Sequence, residues 1–218
     1  MTPSQASIEA ERICRLAPVI PVLVVQDLAH ARPLGEALVA GGLPALEVTL
    51  RSEAALDAIG EMAAIPGGVV GAGTLRTPDD VRRAVDAGAR FGVSPGATDA
   101  LLDACEAEGL ALLPGAASAS EAMRLLERGY SIQKFFPAGP AGGPAFLKAL
   151  AGPLPQIRFC PTGGVSLQNA PDYLALSNVL CVGGSWVAPK QLLEAGDWDA
   201  ITALAHAASE LAAASAQA

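Results

Sequence analysis

The chain has 218 residues, 51% hydrophobic and 17% charged, with 14 basic against 22 acidic side chains for a formal net charge of −8. That composition fits one globular domain with a large aliphatic core and leaves little for a second. It excludes an extended basic surface, so nucleic acid is not an expected partner, although local amides and one or two arginines can still hold a small anion.

Ile8, Ile13 and Leu16 recur among charged residues and predict an amphipathic helix over Ser4 to Leu16. The apolar run that follows, Ala17 to Val25, is short and broken by Pro18 and Pro21. Neither a secretory leader nor a membrane span is expected there, and the expected compartment is the cytoplasm. The four cysteines, Cys14, Cys105, Cys160 and Cys181, form no close pair and are expected to be reduced core thiols.

A repeating order begins at Val19. Eight apolar runs of strand length follow one another: Val19 to Val25, Ala45 to Leu50, Val69 to Gly73, Phe91 to Ser94, Leu110 to Leu113, Ile132 to Phe136, Arg158 to Pro161 and Val179 to Val182. Most are separated by helical patterns. Asp27 is a candidate N-cap for a helix stopping at Gly41-Gly42, Ser52 for one reaching about Ala64, and Thr77-Pro78-Asp79-Asp80 reads as a capping box with proline at the first helical position. Continuous apolar strands covered by helices imply a parallel sheet, and eight such units suit a closed (β/α)8 barrel of the triosephosphate isomerase (TIM) type. An open doubly wound sheet is the alternative. The segment from Asp197 to the end predicts an outer terminal helix with frayed last residues. No linker divides the chain, so residues 1–218 are expected to form a single domain with an extra N-terminal and an extra C-terminal helix.

In such a barrel, chemistry sits at the C-terminal ends of the strands. Lys134 falls inside the sixth run, beside Phe135 and Phe136, where an ammonium group is costly to bury. It must pair with an acid, or lose its proton and become a nucleophilic amine; the ordinary alternative is a strand-end lysine whose head reaches solvent. Glu47, Thr49 and Arg51 alternate along the second run and are expected on one side, making Lys134 or Arg51 a natural neighbour for Glu47. Thr74 follows the third run, Ser94-Pro95-Gly96 the fourth and Pro114-Gly115 the fifth. Thr162-Gly163-Gly164 and Gly183-Gly184-Ser185 follow the last two, where barrels build phosphate sites from backbone amides. His30 and His206 sit in outer helical segments, away from other ligand-type side chains, so neither a metal nor another cofactor is expected.

Six stretches together resemble the family of 2-dehydro-3-deoxy-phosphogluconate (KDPG) and 4-hydroxy-2-oxoglutarate (KHG) aldolases over nearly the whole chain. They are Leu46-Glu47-Val48-Thr49-Leu50-Arg51, Gly71-Ala72-Gly73-Thr74, Ser94-Pro95-Gly96, Lys134-Phe135-Phe136-Pro137-Ala138, Arg158 to Gly164 and Gly183-Gly184-Ser185-Trp186. The resemblance implies a metal-free class I aldolase of the Entner–Doudoroff pathway, usually a homotrimer, that cleaves a phosphorylated keto-acid to pyruvate and glyceraldehyde 3-phosphate. It implies Lys134 as the Schiff-base lysine and Glu47 as the general acid/base. Arg51 and Thr74 fall near the pyruvate carboxylate, Pro95, Phe136 and Thr162 line the pocket, and Gly163, Gly164, Gly183, Gly184 and Ser185 bind phosphate. The sequence departs from the family pattern at Ala138 to Gly143, where an acidic residue is usual, and the loop Pro114 to Ser118 carries smaller side chains. The same residues would also serve a KHG or galactonate-series aldolase or an oxaloacetate decarboxylase, and a barrel that only binds sugar phosphates is the reading of a different class.

Overall fold

A computed structural model describes residues 1–211. Its strands are β1 (Val19–Leu23), β2 (Ala45–Thr49), β3 (Val69–Gly73), β4 (Phe91–Val93), β5 (Ala111–Leu113), β6 (Gly115–Ala116), β7 (Ile132–Phe135), β8 (Arg158–Pro161) and β9 (Val182–Gly184). Every strand pairing is parallel. The larger sheet has the order β5-β4-β3-β2-β1-β9 and curls into a half-barrel, and β6-β7-β8 form a second sheet. From β1 to β5 and from β6 to β8 consecutive strands stay neighbours, without the reversal that a doubly wound sheet requires. Isolated bridges Phe159↔Val179 and Thr162↔Gly183 link β8 to β9 and the segment before it.

Side chains of β2 explain why its run carries apolar residues on both faces. Ala45 belongs to the cluster inside the curl, with Ile20, Phe91, Val93, Leu113 and Ile132, while Leu46 and Val48 belong to the cluster beneath the helices. Alternate residues thus enter two different cores, and β2 is buried on both faces.

The helices are α1 (Pro3–Cys14), α2 (Ala31–Ala40), α3 (Ala55–Ala63), α4 (Pro78–Asp86), α5 (Asp99–Glu108), α6 (Ala119–Arg128), α7 (Gly143–Leu150), α8 (Ala170–Leu174), α9 (Lys190–Ala195) and α10 (Trp198–Ser209). Helix α1 carries a capping box between Thr2 and Gln5 and puts Ala10, Ile13 and Cys14 into the inner cluster. It closes the end of the curl where the strands begin. A void of about 10 Å³ lies beside Ala10, Ile13, Cys14, Ile20 and Phe91. All four cysteines are buried and free. The expected frayed end falls on residues 212–218, outside the described residues.

Several sequence expectations need correcting. Ser52 caps no helix: its hydroxyl donates to the Val25 carbonyl at 2.5 Å, and α3 starts after Ala54 without a side-chain cap. Asp27 does cap, but its side chain opens a 3-10 turn, Leu28–His30, that precedes α2. The fifth run ends at Leu113 as expected, but Gly115, read as part of its end, belongs with Ala116 to a separate strand, β6, beside β7. Proline has no N–H to give the ladder, so the strand breaks there and changes partner. The Pro114 carbonyl still accepts the Lys134 N–H at 2.8 Å. Finally, β9 is Val182–Gly184, so Gly183 and Gly184 are strand residues rather than a turn after the strand.

Candidate active site

Lys134 is the third residue of β7, paired in register with Gly115 and Cys160, and Glu47 is the third of β2, paired with Val22 and Gly71. Both enter the curl. Lys134 Nζ lies 3.3 Å from Glu47 Oε1, and the two side chains are only 4% and 3% exposed. Phe136 lies under the ammonium, its ring centroid 5.2 Å away. Phe135 does not enclose the lysine as expected: it faces the helices and stacks on Phe146 at 5.2 Å. Neighbours along a strand point to opposite faces, so only one of two adjacent aromatics can meet Lys134.

Burial pushes the Glu47 carboxyl above its ordinary range, against the opposing pull of Lys134 and, more weakly, of Arg51. A carboxyl raised in this way holds a proton more readily than an exposed one and is suited to proton transfer. The Lys134 ammonium, donating to its Oε1 at 3.3 Å, lies within proton-transfer distance of it.

Alternation along β2 predicted that Glu47, Thr49 and Arg51 share one side, but the backbone turns after Thr49. Thr49 is fully buried and donates its hydroxyl to the Leu23 carbonyl at 2.8 Å. The Arg51 N–H donates to the Thr49 carbonyl at 2.8 Å, a two-residue turn that carries Arg51 outward. Its Nε donates to Thr74 Oγ1 at 3.0 Å. Thr74 has φ 63, the only non-glycine residue with positive φ among the described residues. For a β-branched side chain this conformation costs about 1–3 kcal/mol, and such strain concentrates where function needs it.

Gly163 and Gly164 have φ 93 and 78, so two successive left-handed positions follow β8. The turn is tied to the segment after Lys134 by the Ala138 N–H to Thr162 carbonyl bond at 2.8 Å and the Gly139 N–H to Gly163 carbonyl bond at 2.9 Å. Asn169 Nδ2 donates to the Gly164 carbonyl at 2.9 Å. Among the described residues the amides of Gly163 and Gly164 have no protein acceptor. Gly183 is different: buried in β9, it leaves the space that Thr162 Oγ1 occupies. Ser185 and Pro95 are exposed at the strand ends.

A cleft of about 810 Å³ opens at Ser185 and Trp186 and runs over Val22 and Val24 toward His30 and Lys190. The sequence assigned no site residue to β1, because an apolar run gives no sign of which members stay partly exposed at a mouth. A separate cavity of about 410 Å³ lies between α5 and α6, lined by Thr98, Glu121 and Arg128 and not by Lys134 or Glu47. His30 packs edge-on against Trp198, ring centroids 5.4 Å apart, and His206 is exposed on α10 near Glu210.

A family model described as KDPG and KHG aldolase matches residues 10–204. The KHG/KDPG aldolase of Escherichia coli is 51% identical over 202 residues, covering 92% of this chain and 95% of that protein. The crystal structure of the Zymomonas mobilis 2-keto-3-deoxy-6-phosphogluconate aldolase with 3-phosphoglycerate superposes with a TM-score of 0.89 at 49% identity, covering 94% of this chain and 97% of that one. The Legionella pneumophila KDPG aldolase, with pyruvate captured at low pH as a covalent carbinolamine, superposes with a TM-score of 0.89 at 47% identity, covering 91% of this chain and 97% of that one. With a buried lysine–glutamate pair at the strand ends and half its positions shared with proteins of this kind, the chain belongs to the KDPG and KHG aldolase family.

Proposed function

We propose that this chain is a Schiff-base aldolase that cleaves 2-dehydro-3-deoxy-6-phosphogluconate to pyruvate and glyceraldehyde 3-phosphate. The observation that carries the reading is the buried pair of Lys134 Nζ and Glu47 Oε1, 3.3 Å apart. The amine attacks the C2 carbonyl, forming a carbinolamine, and loss of water leaves an iminium. Glu47 delivers the proton that lets water leave, then accepts the C4 hydroxyl proton as the C3–C4 bond breaks. The electron pair of that bond passes to the iminium as an enamine of pyruvate. Protonation at C3 and hydrolysis return the amine. The covalent carbinolamine in the Legionella pneumophila relative supports the first step.

Arg51 and Thr74 hold the substrate carboxylate, and Pro95, Phe136 and Thr162 line the reacting carbons. The amides of Gly163, Gly164 and Gly184 and the Ser185 hydroxyl take the phosphate, with Gly183 keeping Thr162 in place. The 3-phosphoglycerate in the Zymomonas mobilis relative supports a phosphate subsite. Holding both ends aligns the breaking bond with the iminium. In the same reading the two sheets close into one eight-unit barrel, β5 and β6 forming a strand interrupted at Pro114. The chain is then a single domain, cytoplasmic and trimeric.

Pyruvate release from phosphorylated and unphosphorylated six-carbon keto-acids tests the substrate. The phosphorylated acid is expected to have a kcat/KM about 100-fold higher, from one or two charge-assisted hydrogen bonds. Equal rates, or faster release from 4-hydroxy-2-oxoglutarate, would move the assignment to the KHG reading, which the double name of the Escherichia coli relative favours.

Thr74→Gly separates strain from function. Glycine adopts φ 63 freely, so the variant is expected to gain about 1 kcal/mol of stability after glycine's extra unfolded-state entropy is subtracted. Losing the hydroxyl should raise KM for the keto-acid about 10-fold. Thermal melting and steady-state kinetics read the two effects; a less stable variant with normal KM would remove both the strain and the contact.

A further inference from the structure

Gly73 ends β3 and pairs with Thr49, while Glu47 pairs with Gly71, two residues earlier. A β-carbon built on Gly73 would meet three atoms first, all of them in Glu47: Oε1, Cδ at 2.9 Å and Cγ at 2.7 Å. The carboxyl therefore occupies the space that any other residue at position 73 would fill. The space at Gly71 is closed to it, because the Phe91 ring lies 2.5 Å from where a β-carbon would be. Two glycines on one face of β3 thus receive different guests. The lower takes an aromatic ring, and the upper takes the carboxyl, leaning along the strand toward the mouth.

Gly73 is not among the glycines with positive φ, so its backbone conformation admits alanine. No backbone atom is among its nearest contacts, and the group that must yield is the Glu47 side chain from Cγ outward. The penalty of a side chain at 73 therefore falls on the direction in which Glu47 points, not on the sheet.

We infer that Gly73 is a positioning residue: the notch it leaves holds the Glu47 carboxyl with Oε1 toward Lys134 Nζ, and so sets the geometry of proton transfer. The inference rests on the general acid/base role proposed for Glu47.

A double-mutant cycle separates the two. Gly73→Ala is expected to fold, to lose about 100-fold in kcat, the lower range for a positioned acid/base, and to keep KM within about 3-fold. On a Glu47→Gln background the same substitution should cost less than about 3-fold, because the proton-transfer group is already gone. A normal kcat for Gly73→Ala, or a full further 100-fold loss on the Glu47→Gln background, would overturn the positioning role. A Glu47→Gln enzyme as fast as wild type would instead remove the role of Glu47 itself. Melting temperatures give a readout independent of turnover. Glu47→Asp retracts the carboxyl by one methylene, so whatever melting-temperature loss Gly73→Ala causes should shrink in the Asp background. If Gly73→Ala does not fold alone, a folded Gly73→Ala/Glu47→Asp protein supports the contact. An undiminished loss, or failure of both proteins to fold, overturns it.

Discussion

Lys134→Ala is expected to lose at least about four orders of magnitude in turnover, because under the proposed chemistry it removes the atom that bonds to the substrate rather than a group that assists it. Borohydride reduction with pyruvate, followed by peptide mass spectrometry, is the direct measurement. The wild-type chain should carry a pyruvate-derived adduct on the Lys134 peptide, dependent on both reagents, and the variant should carry none. The chain has only three lysines, and the other two, Lys148 on α7 and Lys190 on α9, are exposed. An adduct on either would sink the Schiff-base assignment. The substitution also strands Glu47 in a buried site. Removing one member of a buried pair costs about 3–5 kcal/mol when the other stays charged. Burial already favours the protonated carboxyl, so Lys134→Ala should melt closer to wild type at pH 5 than at pH 8.

Glu47→Gln should keep the shape of the site and lose the proton carrier. Its kcat is expected to fall by about 10²–10⁴, while borohydride still traps some pyruvate on Lys134, since a carboxamide does not block attack. Wild-type turnover in this variant would assign proton transfer to another group. The same protein tests the electrostatics. Because burial raises the Glu47 carboxyl above its ordinary value of 4.5, the folded chain binds that proton more tightly than the unfolded one. Wild-type stability therefore falls as pH rises from 4.5 through the raised value. Glutamine binds no proton, so the melting temperature of Glu47→Gln relative to wild type should climb across that window and level off above it. A flat difference would mean that Glu47 titrates normally.

What the sequence revealed was mostly local. The bounds of β3 and β8 and the box of Thr77 with Asp80 follow from apolar runs and caps that act within a few residues. Lys134 stood out because a charged residue in an apolar run requires an explanation. What stayed hidden depended on partners distant in sequence. Ser52 has the composition of a cap, yet its hydroxyl goes to Val25, 27 residues away. Phe135 and Phe136 are alike in sequence, and only strand direction decides which one meets the lysine. Gly183 reads as a turn residue beside Gly184, but it is a strand residue whose missing side chain leaves room for Thr162. The empty volumes beside glycines are filled from other strands, and no local pattern records them.

The floor formed by α1 also bears on the order of events. With Ala10, Ile13 and Cys14 packed into the base of the curl, the void beside them is about 10 Å³ and holds nothing larger than one water. Passage through the base beside these residues is closed. Under the proposed chemistry the pyruvate half is covalently held at the deep end, while the aldehyde half lies nearer the exit. Departure is then a queue: the aldehyde leaves first, water enters through the space it vacates, and pyruvate follows only after hydrolysis.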